Sequence, residues 1–268
     1  MKALNENIFH QYNKWKTGYV RKENSLQIRL ENFINNHEFK SDLFEIEETS
    51  EKTFVVNVQD NYDNILKIND DDLINGEIPF KFGTVKNFFS VSNCTLITTL
   101  KNSPNEFSSF YGDFACKECP SLISLEGAPK IVYGFFCNEC ENLTSLVGAP
   151  EIVNDMFKCS DCPNLISLEG APKHTKSFIC ENCTSLTSLV GLSKSKIEES
   201  FSCTGCNKLT SLEGLPEKIN GDFRCENCPN LTSLEGLPKY IGGSLYVDKR
   251  FKGLIPEGTF VLSGKKYV

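Results

Sequence analysis

Twelve of the 13 cysteines in this chain stand in six Cys-x-x-Cys pairs: Cys116 with Cys119, Cys137 with Cys140, Cys159 with Cys162, Cys180 with Cys183, Cys203 with Cys206, and Cys225 with Cys228. Thiols paired at that spacing can grip a zinc ion as thiolates or cycle between dithiol and disulfide. Between consecutive pairs lie 17, 18, 17, 19 and 18 residues, which falls within the usual spacing of a four-cysteine zinc site. The other possibility is packing alone, because free cysteine behaves as a small, often buried hydrophobe.

The surroundings of the pairs favour packing. A zinc knuckle needs a tight turn, with glycine just after the second cysteine, so that backbone amides can face the sulfurs. Here the following residues are Pro120, Glu141, Pro163, Thr184, Asn207 and Pro229. The pairs also form an uninterrupted ladder, not two couples per module. One flanking unit has Val91 where the first cysteine belongs and keeps Cys94 in the second place; the other has Val247 in the first place. Valine replaces a packed cysteine and cannot replace a ligand. The paired sulfurs therefore read as interior filler, interchangeable with valine and making no bonds. No cofactor and no metal ligand is expected. Met1 to His10 carries no export signal, so the compartment is expected to be reducing and a disulfide framework is not expected. Stacked thiols on strands ~4.8 Å apart would still be close enough to oxidise in air.

The elements that carry these pairs recur with them. Between Phe114 and Gly243 the phrase Phe-x-Cys-x-x-Cys-x-x-Leu-x-Ser-Leu-x-Gly is written six times, with a period of 21 to 23 residues. Such a period means a solenoid, whose units bury their apolar faces only by stacking. In the last full repeat Phe223 and Cys225 alternate with Asp222, Arg224 and Glu226, the period of a short strand with Phe and Cys inward. Pro229 cannot continue a ladder. Gly236 and Pro238 then mark a turn and an extended return, closed by Ile241.

This pattern resembles the leucine-rich repeat family over roughly residues 80 to 247. Phe223 and Cys225 match its two strand leucines, Cys228 its asparagine-or-cysteine position, and Leu231 the leucine that follows. The resemblance implies parallel strands on a concave face, an extended convex side, and an inward asparagine-or-cysteine that caps backbone groups where the strand turns. The Leu-Thr-Ser-Leu-Glu-Gly-x-Pro phrase is similar to repeat proteins of large bacteriophages and bacteria. That similarity implies a protein of the cytoplasm, or of the host-cell cytoplasm if viral. Some bacterial effectors join similar repeats to a ligase domain with a nucleophilic cysteine. Here no cysteine lies outside the repeats and their flanking unit, so that activity is not expected.

The fold expected is mainly β: a solenoid of about seven repeats at 88–247, with a small α/β N-terminal cap. Residues 1–52 are read as a helical cap region, 53–87 as a strand-rich capping segment and 248–268 as a C-terminal cap. Ser25 to Asn36 places Leu26, Leu30, Phe33 and Ile34 at helical spacing, and Ile8 to Trp15 suggests another short helix. Residues 53–58 and 64–69 read as strands that begin the stack.

Outward strand positions form columns, and there the repeats differ. Phe136, Met156 and Ile179 fall on three successive repeats, with Lys158 and Arg224 in the same columns and an acidic rim that includes Glu139 and Asp161. Clustered apolar residues aimed at solvent mark contact sites, so these seven are the candidate partner-binding residues. Val147 and Val190, which replace a glutamate, read as drift, and Ser193 to Lys196 as a tolerated insertion. A net charge of −7 disfavours nucleic acid and anionic membrane as partners, and no apolar run is long enough to span a bilayer. The only histidines, His10, His37 and His174, form no triad or metal pair, and His174 is placed in an exposed turn. No catalytic residue is identified. The expectation is a non-enzymatic module that binds a partner protein through the concave face, possible viral engagement of a host factor included. The alternative is a zinc-stabilised structural or regulatory protein. A ligand sponge formed between chains would need an oligomer, and oligomeric state is left open.

Overall fold

A computed structural model describes residues 20–51, 53–59 and 66–268. The expected helix at Ile8 to Trp15, His10, and the first two residues of the 64–69 strand lie outside the described residues. What is described is a parallel-strand solenoid of about nine turns. The six Phe-x-Cys segments and four flanking strands in the same register form a ten-stranded sheet whose neighbours follow chain order, from Leu66–Lys67 through Phe135–Phe136 and Met156–Lys158 to Gly264–Tyr267. The returning limb of each turn adds a second short strand. Ile131–Val132, Ile152–Val153, His174–Thr175 and Lys196–Ile197 form one parallel sheet. Lys218–Ile219, Tyr240–Ile241 and Phe260–Val261 form another. The core lies between the Phe strands and the returns.

Each constant letter of the repeat has a physical task. The phenylalanines stack in register: Phe114, Phe135, Phe157, Phe178, Phe201 and Phe223 follow one another with ring centroids 5.1–6.0 Å apart and nearly parallel planes. Each is almost wholly buried, worth about 1.5–3 kcal/mol before entropy is subtracted. The chain turns after the first cysteine through a left-handed residue: Glu118, Glu139, Asp161, Asn182, Gly205 or Asn227, all with φ between 54° and 75°. The serine of Leu-x-Ser-Leu accepts the N–H two residues ahead in five of the six repeats, as Ser124 does from Glu126 at 3.1 Å. The glycine marks a close approach of successive coils. At Gly148, φ is 91° and a Cβ would stand 2.4 Å from the Glu126 nitrogen, so no other residue fits without a shift.

At the N-terminal end a helix spans Val20–Asn36, beginning five residues before the expected Ser25. Leu26, Leu30, Phe33 and Ile34 pack on the core as their spacing indicated. Phe33 meets Phe80 edge-on at 5.4 Å and Phe44 at 6.2 Å. The expected strand at 53–58 is present as Phe54–Val58, and it pairs antiparallel with Phe44–Glu48, a strand the sequence reading did not assign. At the other end, residues after Asp248 do not leave the stack. Phe260–Val261 and Gly264–Tyr267 add a strand to each sheet. His174, expected in an exposed turn, is instead half-buried in a return strand, where its register partners are Ile152 and Lys196. Among the described residues no helix is long and apolar enough to cross a membrane.

Candidate functional site

The thiols behave differently within each pair. All 13 cysteines are free and buried. The first of each pair occupies the same register as Ile68, Val91 and Val247, all of which are buried. It is filler, as expected, except that the Cys180 thiol also donates to the Ser202 carbonyl at 3.5 Å. The second is not. Its thiol donates to the carbonyl of the first-cysteine position in the preceding coil: Cys94 to Ile68, Cys119 to Val91, Cys140 to Cys116, Cys162 to Cys137, Cys183 to Cys159, Cys206 to Cys180 and Cys228 to Cys203, at 3.0–3.3 Å. Among the described residues no backbone N–H reaches these carbonyls. The parallel ladder breaks where the strand turns, and the thiol replaces the missing amide. The expectation that the sulfurs make no bonds is therefore wrong for half of them. It also explains why the flanking unit kept Cys94 while its partner became Val91.

Burial favours the protonated form at many of these thiols, whereas at Cys162 and Cys228 a hydrogen bond from the cysteine of a neighbouring coil outweighs it and lowers the pKa. Burial pushes Cys94, Cys116 and Cys119 up to about 12, and raises Cys137, Cys159 and Cys225 well above the ordinary range. A zinc ligand or a redox nucleophile must be a thiolate, which burial opposes at the thiols it raises. Among the described residues, no group of three or more His, Cys, Asp or Glu side chains could hold a metal ion.

On the outer face of the ten-stranded sheet, Phe136, Lys158 and Ile179 are successive register partners. Met156 lies two residues before Lys158, on the same face of the strand. All four are half-buried. The Phe136 ring lies along its own strand above Gly134, whose missing Cβ would stand 2.9 Å from it, and the Lys117 ammonium sits 4.8 Å from the ring centroid. Arg224 lies apart from this group. Its guanidinium stacks on Tyr246 at 3.6 Å and pairs with Glu226 at 3.5 Å. Glu139 and Asp161 are exposed left-handed turn residues on the edge that follows the first cysteine. Asp161 accepts from the Asn182 amide at 2.9 Å. The structure thus gathers Phe136, Met156, Lys158 and Ile179, sets Glu139 and Asp161 along their edge, and ties up Arg224 elsewhere.

The most exposed aromatics of the described residues were not among the sequence candidates. Phe110 is 70 % exposed and Tyr111 64 %. Their rings meet Tyr133 at 5.8 and 5.1 Å and each other at 5.3 Å. The segment that holds them, 101–112, is the longest return in the chain, and that irregular length was the available signal. Tyr133 lies just before the Phe135–Phe136 strand, so this aromatic edge adjoins the sheet face. Beside it, burial raises the Asp113 carboxyl while its Oδ1 accepts the Gly134 N–H at 2.7 Å. In comparisons with known proteins, no family model matches the chain, and no curated protein or solved structure proves similar to it.

Proposed function

We propose that this chain is a non-enzymatic protein-binding module, and that its partner docks on the outer sheet face of the first four full repeats. The observation that carries the reading is the pair Phe110 and Tyr111, held in a cluster and yet largely in solvent. Exposed aromatics that support one another at an edge are the residue type most enriched at the energetic centres of interfaces. Phe136, Met156 and Ile179 extend that apolar surface across the sheet, Lys158 lies among them, and Glu139 and Asp161 supply a charged rim, the usual order of an interface.

The repeats are of the leucine-rich type in this reading. The thiol of the second cysteine takes the backbone-capping task of that family's asparagine-or-cysteine position. The phrase shared with phage and bacterial repeats supports a viral setting, in which a host or viral protein in the cytoplasm is the partner; that step is analogy at the level of fold. The thiols of the second cysteines, already engaged with backbone carbonyls, weigh against the zinc-stabilised alternative.

Affinity purification from the native host tests the proposal with three baits: the wild type, Phe110→Ser with Tyr111→Ser, and Phe136→Ser with Met156→Ser and Ile179→Ser. The expected result is one partner recovered by the wild type and lost from both variants, with both variants folded by circular dichroism. Undiminished recovery by the two variants would remove this face as the site.

A further inference from the structure

On the return side of the same coils the repeat departs from itself. Ser103, Ala128, Ala149, Ala171, Leu192 and Leu237 make one recurring turn, each N–H donating to the carbonyl three residues back. The later coils fill this corner with leucine and the earlier ones leave it small. The result is an open cavity of about 600 Å³, with Pro104, Ala128, Pro129 and Ala149 as its apolar wall, Lys81 and Lys130 as its cations and Glu126 and Glu151 as its carboxylates.

Lys81 gives the hollow its chemistry. It is half-buried, and its ammonium donates to the Ser103 carbonyl at 2.8 Å. Among the described residues no carboxylate comes within ion-pair distance of it. Burial alone pulls its pKa below the usual lysine range. The neighbouring cation on the rim, Lys130, is already neutralised by Glu151 at 3.2 Å, and Glu151 also holds Lys173 at 2.6 Å. A charge withdrawn from water is retained where something compensates it, and here the protein supplies one neutral carbonyl.

We propose that this cavity binds a carboxylate carried on a short aliphatic body, with the carboxylate on Lys81 and the aliphatic part against Ala128, Ala149, Pro104 and Pro129. A free small acid and a glutamate side chain of another protein share that chemistry. The cavity shares the 101–112 return with the aromatic edge, but Phe110, Tyr111 and Tyr133 are not among the residues that line it.

Titration with hexanoate, followed through the methyl resonances of Ala128 and Ala149, tests it. Saturable shifts are expected with hexanoate and none with hexanamide. Lys81→Met removes the charge at nearly constant shape and abolishes the shifts while the protein melts at the same or a higher temperature. Ala149→Leu, the residue that later coils carry at this turn, fills the hollow and also abolishes them. Lys130→Gln leaves them intact. A parallel titration with N-acetylglutamate N-methylamide separates the sources: shifts with it point to a protein side chain, and shifts with hexanoate alone to a free acid. No saturable shift with either probe, or an equal response to hexanamide, or undiminished binding in Lys81→Met, overturns the proposal.

Discussion

Replacing Cys140 by valine should cost far more than replacing Cys137, although the two sit three residues apart in one repeat and are equally buried. Both substitutions add the same volume to the same core. At Cys137 nothing else changes, because valine or isoleucine already stands in that register at Ile68, Val91 and Val247. At Cys140 the Cys116 carbonyl loses its donor, which stands at 3.0 Å. A buried carbonyl left without a partner costs about 1–3 kcal/mol, so the two variants should differ by that amount. For a protein of this size each 1 kcal/mol moves the melting temperature by about 2–4 °C. The gap between Cys140→Val and Cys137→Val is then about 2–12 °C in thermal melts followed by circular dichroism. Cys140→Ser keeps a donor at the site and should recover part of the loss. Amide exchange near residues 116–118 should quicken in Cys140→Val and not in Cys137→Val. Equal melting temperatures for the two valine variants, or a serine variant as weak as the valine one at position 140, would refute the account of the thiol ladder.

Other consequences follow from the same packing. Cys94, Cys116 and Cys119 are held by burial at about 12, against an ordinary value of 9.0. A folded pKa above the unfolded one favours the protonated fold, so stability is level below about pH 9 and falls as pH rises from there toward 12. Each such thiol contributes a slope of about 1.4 kcal/mol per pH unit; Cys116→Val should remove one proton's worth of that slope, and a curve flat from pH 9 to 11 would contradict it. Glu139 holds φ at 59°, where a glutamate costs roughly 1 kcal/mol more than a residue suited to that region. Glu139→Asn should therefore raise the melting temperature, and a fall would show that the glutamate makes compensating contacts. Phe157→Ala hollows the ring stack and should cost about 3–5 kcal/mol, whereas Phe136→Ala on the outer face should cost far less; similar losses in chemical denaturation would mean the face is core.

Architecture was legible in this sequence because stacking repeats one environment many times. The Phe and first-cysteine positions need only be apolar and inward, and period two shows that directly. The second cysteine needed more than polarity to read, since only the coordinates reveal a carbonyl at 3.0–3.3 Å that no amide serves. The substitution pattern did hold a hint: Val91 replaced a first cysteine while Cys94 kept the second place. The outer face was harder still, because exposure there depends on neighbouring coils. Phe136 and Arg224 read alike as outward residues, yet one ring lies over Gly134 and the other guanidinium is spent on Tyr246. His174 was misplaced for a related reason: the returning limb, expected as extended chain with turns, forms strands of its own, and its side chains are shielded by the coils on either side.

Positions where every repeat agrees are accounted for by stacking, so function must be sought where repeats disagree without structural need. The left-handed turn is best served by glycine or asparagine, and Asn182, Gly205 and Asn227 comply, but the three preceding repeats carry Glu118, Glu139 and Asp161. The corner is closed by Leu192, Leu215 and Leu237 in the later half and left open by Ala128, Ala149 and Ala171 in the earlier. The one long return, with Phe110 and Tyr111, also falls in that earlier half. Three independent columns depart from the stable choice over the same stretch of coil. Drift alone would scatter such departures along the whole solenoid. Their coincidence over the first three full repeats is what the proposed contact surface, which reaches Ile179 in the fourth, would account for.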